Sequence, residues 1–168
     1  MNKILALCAL ALFTFSSCLK DDKSCNYVDS NIVASPAEVA ALQDSLAKYN
    51  INATQHPSGF FYSIVNPGNG NAVANLCTSI TAEYQAKFFE GQVIDSTATG
   101  KTATFLLGEV IPGWQKGISL VKGGGNINLY IPPSLGYGSQ NVTDPNTGEV
   151  IIPRNSFLVF EVHVNSIQ

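Results

Sequence analysis

Charged side chains are scarce in this sequence of 168 residues: Asp, Glu, Lys and Arg make up 12% of it, and the net charge is −3. A protein that binds nucleic acid needs a basic face to contact phosphates, so nucleic acid is not an expected partner. The sequence has only two histidines, His56 and His163, and neither has neighbours with metal-ligand spacing. Both are expected at surface or edge positions, and no metal site is predicted.

Motifs typical of nucleotide-binding and hydrolytic enzymes are also missing. Residues 100–102 (GKT) resemble the end of a phosphate-binding loop, but Asp95 stands where its leading glycine belongs, and a strand pattern follows. No serine-nucleophile motif is present. The turn around Asp144 lacks the spacing of a calcium loop. The sequence therefore predicts no cofactor and gives little support to hydrolytic chemistry.

The N-terminus has the features of a secretory signal. Residues 1–17 combine an early lysine with an apolar run of about a dozen residues, too short to span a bilayer comfortably. Residues 15–18 (FSSC) resemble a bacterial lipobox, with Phe15 where leucine is usual. This resemblance implies that Cys18 becomes the acylated first residue of a mature chain. An ordinary signal peptide with an incidental cysteine is the alternative.

Residues 18–34 are polar with few apolar positions, and they are predicted to form a lipid-anchored tether in the cell envelope. The charged run behind Cys18 resembles the tag that sends some lipoproteins to the outer face of the outer membrane, with a plain solvated tether as the alternative. Once Cys8 and Cys18 are assigned to the signal and the lipid, Cys25 and Cys77 remain. A disulfide between them is one expectation in an oxidising compartment, and two free or buried thiols are the other.

Residues 35–55 are predicted to form an N-terminal helix and a linker. Residues 35–38 (SPAE) have the pattern of a helix start, with serine at the cap, proline in the first turn and glutamate three residues after the cap. The helix is expected to reach about Lys48 and to dock one face on the domain. Its apolar positions recur at helical spacing: Val39, Leu42, Leu46 and Tyr49.

Residues 56–168 have the pattern of an α+β domain. The segment from Gly113 to Val121 is predicted as one short helix, because Trp114, Ile118 and Val121 fall on one face. No βαβ alternation is present, which predicts an antiparallel sheet wrapped on that helix. Residues 139–150 are expected to be a long polar loop at a binding mouth. About five strands are expected, at residues 60–65, 79–88, 102–107, 126–131 and 157–164.

Residues 109–117 (EVIPGWQKG) closely resemble the central motif of the FKBP-type peptidyl-prolyl cis-trans isomerases. Residues 105–108, 131–138 and 158–162 resemble further motifs of that family in the right order, so the resemblance covers about residues 60–168. The N-terminal features resemble the family's envelope lipoprotein branch. The resemblance implies an FKBP-like, antiparallel five-stranded sheet on one short helix. It also implies an enzyme, without cofactor, that isomerises Xaa-Pro bonds and assists protein folding in the bacterial envelope.

The same resemblance implies a proline pocket. Trp114 is expected as its base, the N–H of Ile111 and the hydroxyl of Tyr137 as groups that bind substrate carbonyls, and Tyr84 and Asp95 as its polar rim. From the residues alone, the three aromatic residues can also be core or corner residues, and Asp95 can be a turn cap. Five further residues are expected to contact substrate: Ile94, Phe105, Val110, Ile152 and Phe160.

Three features depart from the family's pattern. Ile94 stands where a phenylalanine is usual, and an aromatic residue expected near Ala103 or Thr104 is absent. Residues 96–101 contain no arginine to pair with Asp95. These departures are the ground for an alternative to the isomerase, a catalytically weak module that binds peptides or another envelope protein. A purely structural surface lipoprotein is a third alternative, and the sequence predicts no oligomeric state.

Overall fold

The computed structural model of the protein describes residues 25–168, so the predicted signal and Cys18 lie outside the described residues. Within them, helix α1 spans Pro36–Lys48 and helix α2 spans Pro112–Ile118. No helix in this part of the chain has both the length and the apolar character needed to cross a membrane. The strands are β1 (Thr54–Gln55), β2 (Phe61–Asn66), β3 (Ser79–Lys87), β4 (Val93–Ser96), β5 (Ala103–Leu106), β6 (Gly125–Ile131), β7 (Val142–Thr143), β8 (Val150–Ile152) and β9 (Leu158–Ile167).

The main sheet is antiparallel and has the order β1-β2-β6-β9-β3-β4, with β5 also paired to β3. Strand β5 lies along residues 79–82 of β3, and β4 lies along residues 85–87 of the same edge. The predicted α+β class is confirmed. The sheet has two strands more than expected, β1 and β4. Two residues are too few to show an alternating pattern, and β4 (VIDS) has two apolar residues followed by two polar ones.

Helix α2 packs closely against β6. A methyl group added at Gly113 would lie 2.7 Å from the side chain of Ile131, and one at Gly117 would lie 2.5 Å from that of Leu129. The predicted face is confirmed, since Trp114 and the two apolar residues that follow it on that face are all buried. The helix ends at Ile118, three residues before the predicted end, because the chain continues as a turn with hydrogen bonds to residues three positions back.

Helix α1 covers the outer face of the sheet. Its N-terminus has the predicted capping box, in which Ser35 and Glu38 satisfy each other's backbone N–H groups. Leu42 and Leu46 are buried against a row of three residues that are paired side by side on β2, β6 and β9. This row is Phe61, Tyr130 and Val159. The helix therefore buries a second apolar cluster, which supports the predicted structural role.

The segment predicted as a long loop contains a hairpin. Residues Val142–Thr143 pair with Val150–Ile152 as a separate two-stranded sheet. The carboxylate of Asp144 accepts the backbone N–H groups of Asn146 and Thr147, at 2.7 and 3.0 Å, and so closes the turn. The turn residues were evident in the sequence, but strands of two and three residues were not.

Residues 25–34, which we call the N-terminal arm, are fixed to the domain rather than extended from it. A disulfide joins Cys25 to Cys77, in agreement with one of the two sequence expectations. Tyr27 and Asp29 contact side chains near α2, and the N–H of Ala34 donates to the carbonyl of Ser58 at 2.9 Å. The polar composition indicated a tether. Each of these contacts joins residues far apart in sequence, so no local pattern predicts them.

Candidate active site

A cavity of about 270 Å³ lies between α2 and the inner face of the sheet. All ten pocket residues proposed from the sequence line it, although they come from five strands, one helix and two loops. The remaining lining residues are Ala86, Ala103, Glu109 and Leu158. The sequence interpretation thus placed together residues that are up to 76 positions apart, Tyr84 and Phe160.

Trp114 is at the base of the cavity and is held by three other aromatic rings. Its ring centroid lies 5.4 Å from those of Tyr84, Phe105 and Phe160, with interplanar angles between 66° and 89°. Edge-to-face contacts of this kind add about 0.5–1.5 kcal/mol each beyond the buried area. The indole is 4% exposed, and its Nε1 has no hydrogen-bond partner among the described residues. The contacts fix the plane of the indole against an otherwise apolar wall.

The segment before Trp114 brings backbone to the cavity. Ile111 is extended, and Pro112 starts α2 in the first turn, where a missing N–H costs nothing. The side-chain amide of Gln115 donates to the carbonyls of Gly108 and Val110, at 3.3 and 2.8 Å. The helix therefore holds the preceding loop in place, with Val110 and Ile111 against the cavity.

Tyr84 and Asp95 form the polar side of the cavity. The Tyr84 hydroxyl donates to Oδ2 of Asp95 at 2.5 Å, and the two residues lie on the adjacent strands β3 and β4. Burial, together with the hydrogen bond to Asp95 and its charge, raises the pKa of Tyr84 to about 12. At neutral pH the tyrosine is therefore a hydrogen-bond donor, which fixes the carboxylate at the rim.

Tyr137 is at the mouth of the cavity and is 45% exposed. It follows a 3₁₀ turn, Pro133–Leu135, whose Ser134 N–H donates to Oε1 of Glu38 in α1 at 2.9 Å. Burial, and the nearby charge of Asp95, raise the pKa of Tyr137. The outer helix thus supports the turn that positions this hydroxyl.

The departures noted in the sequence are visible in the walls of the cavity. Ile94 and Ala103 line it, whereas the hydroxyl of Thr104 lies 3.0 Å from that of Thr81. Two walls are therefore aliphatic. Asp95 has no ion pair among residues 25–168, and no group of three or more His, Cys, Asp or Glu side chains there is placed to hold a metal ion.

Two of the remaining lining residues carried a signal that the sequence interpretation did not use. Ala86 shares the alternating face of Tyr84, and Leu158 shares that of Phe160, so both were expected on the inner face. Glu109 is the first residue of the central motif, but a charged side chain there gave no reason to expect it at an apolar cavity.

Comparisons with known proteins agree with this geometry. The sequence profile of the family described as FKBP-type peptidyl-prolyl cis-trans isomerase matches residues 70–165. The chain is 38% identical over 112 residues to the FKBP-type peptidyl-prolyl cis-trans isomerase FkpA of Buchnera aphidicola subsp. Schizaphis graminum, covering 66% of this chain and 42% of that protein. It is 35% identical over 113 residues to the outer membrane protein MIP of Legionella longbeachae, covering 67% and 46%. The chain thus spans less than half the length of these curated relatives.

Solved structures of FKBP-type proteins are also similar to this chain. The crystal structure of FkpA from Escherichia coli superposes with a TM-score of 0.65 at 30% identity, covering 79% of this chain and 60% of that one. The crystal structure of AtFKBP13 superposes with a TM-score of 0.60 at 33% identity, covering 70% and 99%. The profile match covers more than half of the chain and includes all ten pocket residues proposed from the sequence. The chain belongs to the family of FKBP-type peptidyl-prolyl cis-trans isomerases.

Proposed function

We propose that this protein isomerises Xaa-Pro bonds in proteins of the bacterial cell envelope, and that the cavity on Trp114 is its active site. The observation that carries the proposal is the combination of an aromatic base with a polar rim, Tyr84–Asp95 and Tyr137, around one small cavity. A volume of about 270 Å³ is at the small end of ligand sites and suits one proline ring with its flanking carbonyls.

The chemistry requires only a change of environment around the peptide bond. Resonance makes the C–N bond partly double, so rotation has a barrier of about 18–20 kcal/mol. The twisted transition state loses that resonance and the charge separation that accompanies it. An apolar, aromatic cavity disfavours the planar, polar ground state, and a shape that fits the twisted imide favours the transition state.

The polar groups orient the substrate around this apolar centre. The N–H of Ile111 makes no hydrogen bond within residues 25–168, and we assign it to a substrate carbonyl. The Tyr137 hydroxyl is assigned to a second carbonyl. Tyr84 donates to Asp95, which keeps the rim carboxylate in one place. Residues Ile94, Phe105, Val110, Ile152 and Phe160 complete the apolar walls.

The proposed site of action is the outer membrane, with Cys18 as the lipid anchor and residues 1–17 as the signal. A disulfide within residues 25–168 is consistent with an oxidising compartment, and one relative is named an outer membrane protein. The Cys18→Ser variant should leave the membrane fraction and appear in the soluble envelope fraction. Unchanged membrane partitioning would contradict the anchor. Surface display is a further proposal, tested by protease accessibility on intact cells.

A second function, peptide binding with weak catalysis, is favoured by the aliphatic Ile94 and Ala103 walls. A wider cavity that admits water retains affinity for proline-containing segments more easily than it retains rate enhancement. Refolding of a protein whose slow phase is proline isomerisation separates the two functions. An isomerase shortens the slow phase at substoichiometric concentration. A binding module leaves that phase unchanged while proline peptides still shift its NMR signals.

A further inference from the structure

The N-terminal arm contacts the cavity wall through Tyr27. Its ring covers Gly108 so closely that a methyl group added there would lie 2.2 Å from Cγ of the tyrosine. Its hydroxyl donates to Oε1 of Glu109 at 2.9 Å. Glu109 lines the cavity, so the arm reaches the active site through one intervening side chain.

The disulfide fixes the same segment from a second direction. Cys25 is bonded to Cys77, and the carbonyls of the two residues flanking Cys77 accept the N–H groups of Leu107 and Gly108, at 3.0 and 2.7 Å. The arm, the disulfide and these two hydrogen bonds form a closed ring of contacts. This ring holds the chain immediately before Glu109, and Tyr27 then fixes the direction of the carboxylate.

The charges at the cavity are of one sign. Glu109 and Asp95 are its two charged lining residues, and none of the other lining residues is a lysine or arginine. Lys116, on α2, forms its ion pair with Asp29 of the arm, away from the lining set. Tyr27 is a neutral donor, and its hydrogen bond with Glu109 raises the pKa of the tyrosine, so the hydroxyl stays protonated at neutral pH. The contact orients the carboxylate without neutralising it.

We propose that Tyr27 is a positioning residue and Glu109 a specificity-determining residue of the proline pocket: the disulfide-anchored arm holds the Glu109 carboxylate at the pocket mouth, where it favours peptides with a cationic side chain beside the proline. The inference rests on the proposed function of the pocket. It assigns a task to an arm that the sequence indicated to be only a tether.

The expected preference is modest, because the carboxylate is exposed to solvent. Unit charges a few ångström apart in water should favour a lysine peptide over the alanine peptide by about fivefold and disfavour a glutamate peptide by a similar factor. The preference should fall as salt is added, since exposed charges are screened over about 10 Å at 0.1 M ionic strength. Loss of the Tyr27 hydroxyl should reduce the preference by about threefold, in the range that exposed charged contacts produce.

The test uses the full chain in detergent and three peptides that differ in having lysine, alanine or glutamate beside a single proline. NMR exchange gives kcat/KM for each peptide, and chemical-shift titration of the same samples gives each Kd. In Tyr27→Phe, the ratio of lysine-peptide to glutamate-peptide kcat/KM should fall about threefold, mainly through KM. In Glu109→Gln the ratio should fall below that of Tyr27→Phe, to the residual preference that the Asp95 carboxylate gives. The Cys25→Ser, Cys77→Ser double variant should also lower it.

The matched control is Val28→Ala, the next arm residue, whose side chain is 86% exposed. It should keep the wild-type ratio, whereas a general effect of arm mutations would lower it too. An identical ratio in wild type and Tyr27→Phe, or no preference in the wild type, overturns the inference while catalysis stands. If no peptide is isomerised, the isomerase proposal fails, and the Kd ratios alone then decide the inference. Equal Kd values for the lysine and glutamate peptides overturn it in that case.

Discussion

The Tyr84 hydroxyl donates to Asp95 across β3 and β4, at 2.5 Å, on the rim of a cavity that has Trp114 at its base. The two strands pair at residues 85–87 and 93–96, so the sheet itself brings the tyrosine and the carboxylate together. The same tyrosine ring meets the indole of Trp114 edge to face. One side chain therefore links the apolar base of the cavity to its polar rim.

This relationship predicts a high ionisation midpoint for Tyr84. Its pKa is raised from 10.0 to about 12, so the folded state binds this proton more tightly than the unfolded state does. The corresponding stability is fully present below pH 10 and is lost as the pH rises towards 12. An ultraviolet titration of tyrosinate should show a group that ionises near pH 12 and is absent in Tyr84→Phe. A group of ordinary pKa at this position would contradict the hydrogen bond.

The close packing of α2 predicts that Gly117→Ala destabilises the fold. The added methyl group would lie 2.5 Å from Leu129 of β6. Overpacking costs about 1–3 kcal/mol, and the better helix propensity of alanine returns about 1 kcal/mol, so a net loss of about 1 kcal/mol is expected. Urea unfolding should show a lower midpoint, whereas Gln43→Ala on the exposed side of α1 should leave it within error. Equal urea midpoints for both variants would mean that α2 and Leu129 can shift to accommodate the added methyl group.

The hydrogen bonds of Glu38 predict acid-sensitive stability that involves the 3₁₀ turn Pro133–Leu135. Burial acts to raise its pKa, but hydrogen bonds from Ser35 and Ser134 outweigh burial and lower the pKa below 4.5. A lowered carboxylate pKa contributes stability that is present above the unfolded value and lost as the pH falls through the folded value. Glu38→Gln should cost about 1 kcal/mol at pH 7 and progressively less below pH 4.5.

Thermal unfolding of wild type and Glu38→Gln across this pH range measures the effect. Asp44→Asn, on the same helix, is the matched control, because Asp44 is exposed and has no capping contact. A difference between wild type and Glu38→Gln that is constant with pH would show that the hydrogen bonds to Ser35 and Ser134 do not depend on the carboxylate.

Removal of the disulfide should lower the free energy of unfolding, because the crosslink restricts the unfolded chain. Cys25 and Cys77 are 52 positions apart, and removing a crosslink of that span costs about 4 kcal/mol in the chain-entropy description. The double serine variant should lower the free energy of unfolding by that order in urea titrations. Reduced wild-type protein should match the variant. If the reduced wild type is as stable as the oxidised form, the disulfide does not contribute to the free energy of unfolding.

The sequence predicted the base and the rim of the cavity because two kinds of signal coincide there. Alternation placed Tyr84 on the inner face of β3, and the motif around Trp114 placed the indole on the inner face of α2. The resemblance to a family then related Asp95, Tyr137 and Ile152 to them, although no local periodicity does so. Local pattern was sufficient for the two helices and the five longest-patterned strands, and only the family motif brought distant residues together.

The parts that the sequence did not predict depend on contacts between distant residues. Tyr27 stands in a polar segment, and only the folded chain shows its ring on Gly108. Strand β4 shows no alternation of apolar and polar residues, and the strands of the hairpin β7–β8 are too short for a periodic signal. The sequence around Val159 does not indicate that this face of the sheet is covered, because the covering helix, α1, lies more than 100 residues earlier.

NMR exchange on short Xaa-Pro peptides, compared between the wild type and Trp114→Phe, shows whether the cavity on Trp114 catalyses isomerisation. This substitution keeps an aromatic ring in contact with its neighbours but removes the wide base of the cavity. The wild type should accelerate cis–trans exchange. The variant should do so about tenfold less, equal to about 1.4 kcal/mol of transition-state stabilisation, while its far-UV spectrum stays unchanged. Acceleration that is equal in both proteins would show that the cavity on Trp114 is not the site of isomerisation.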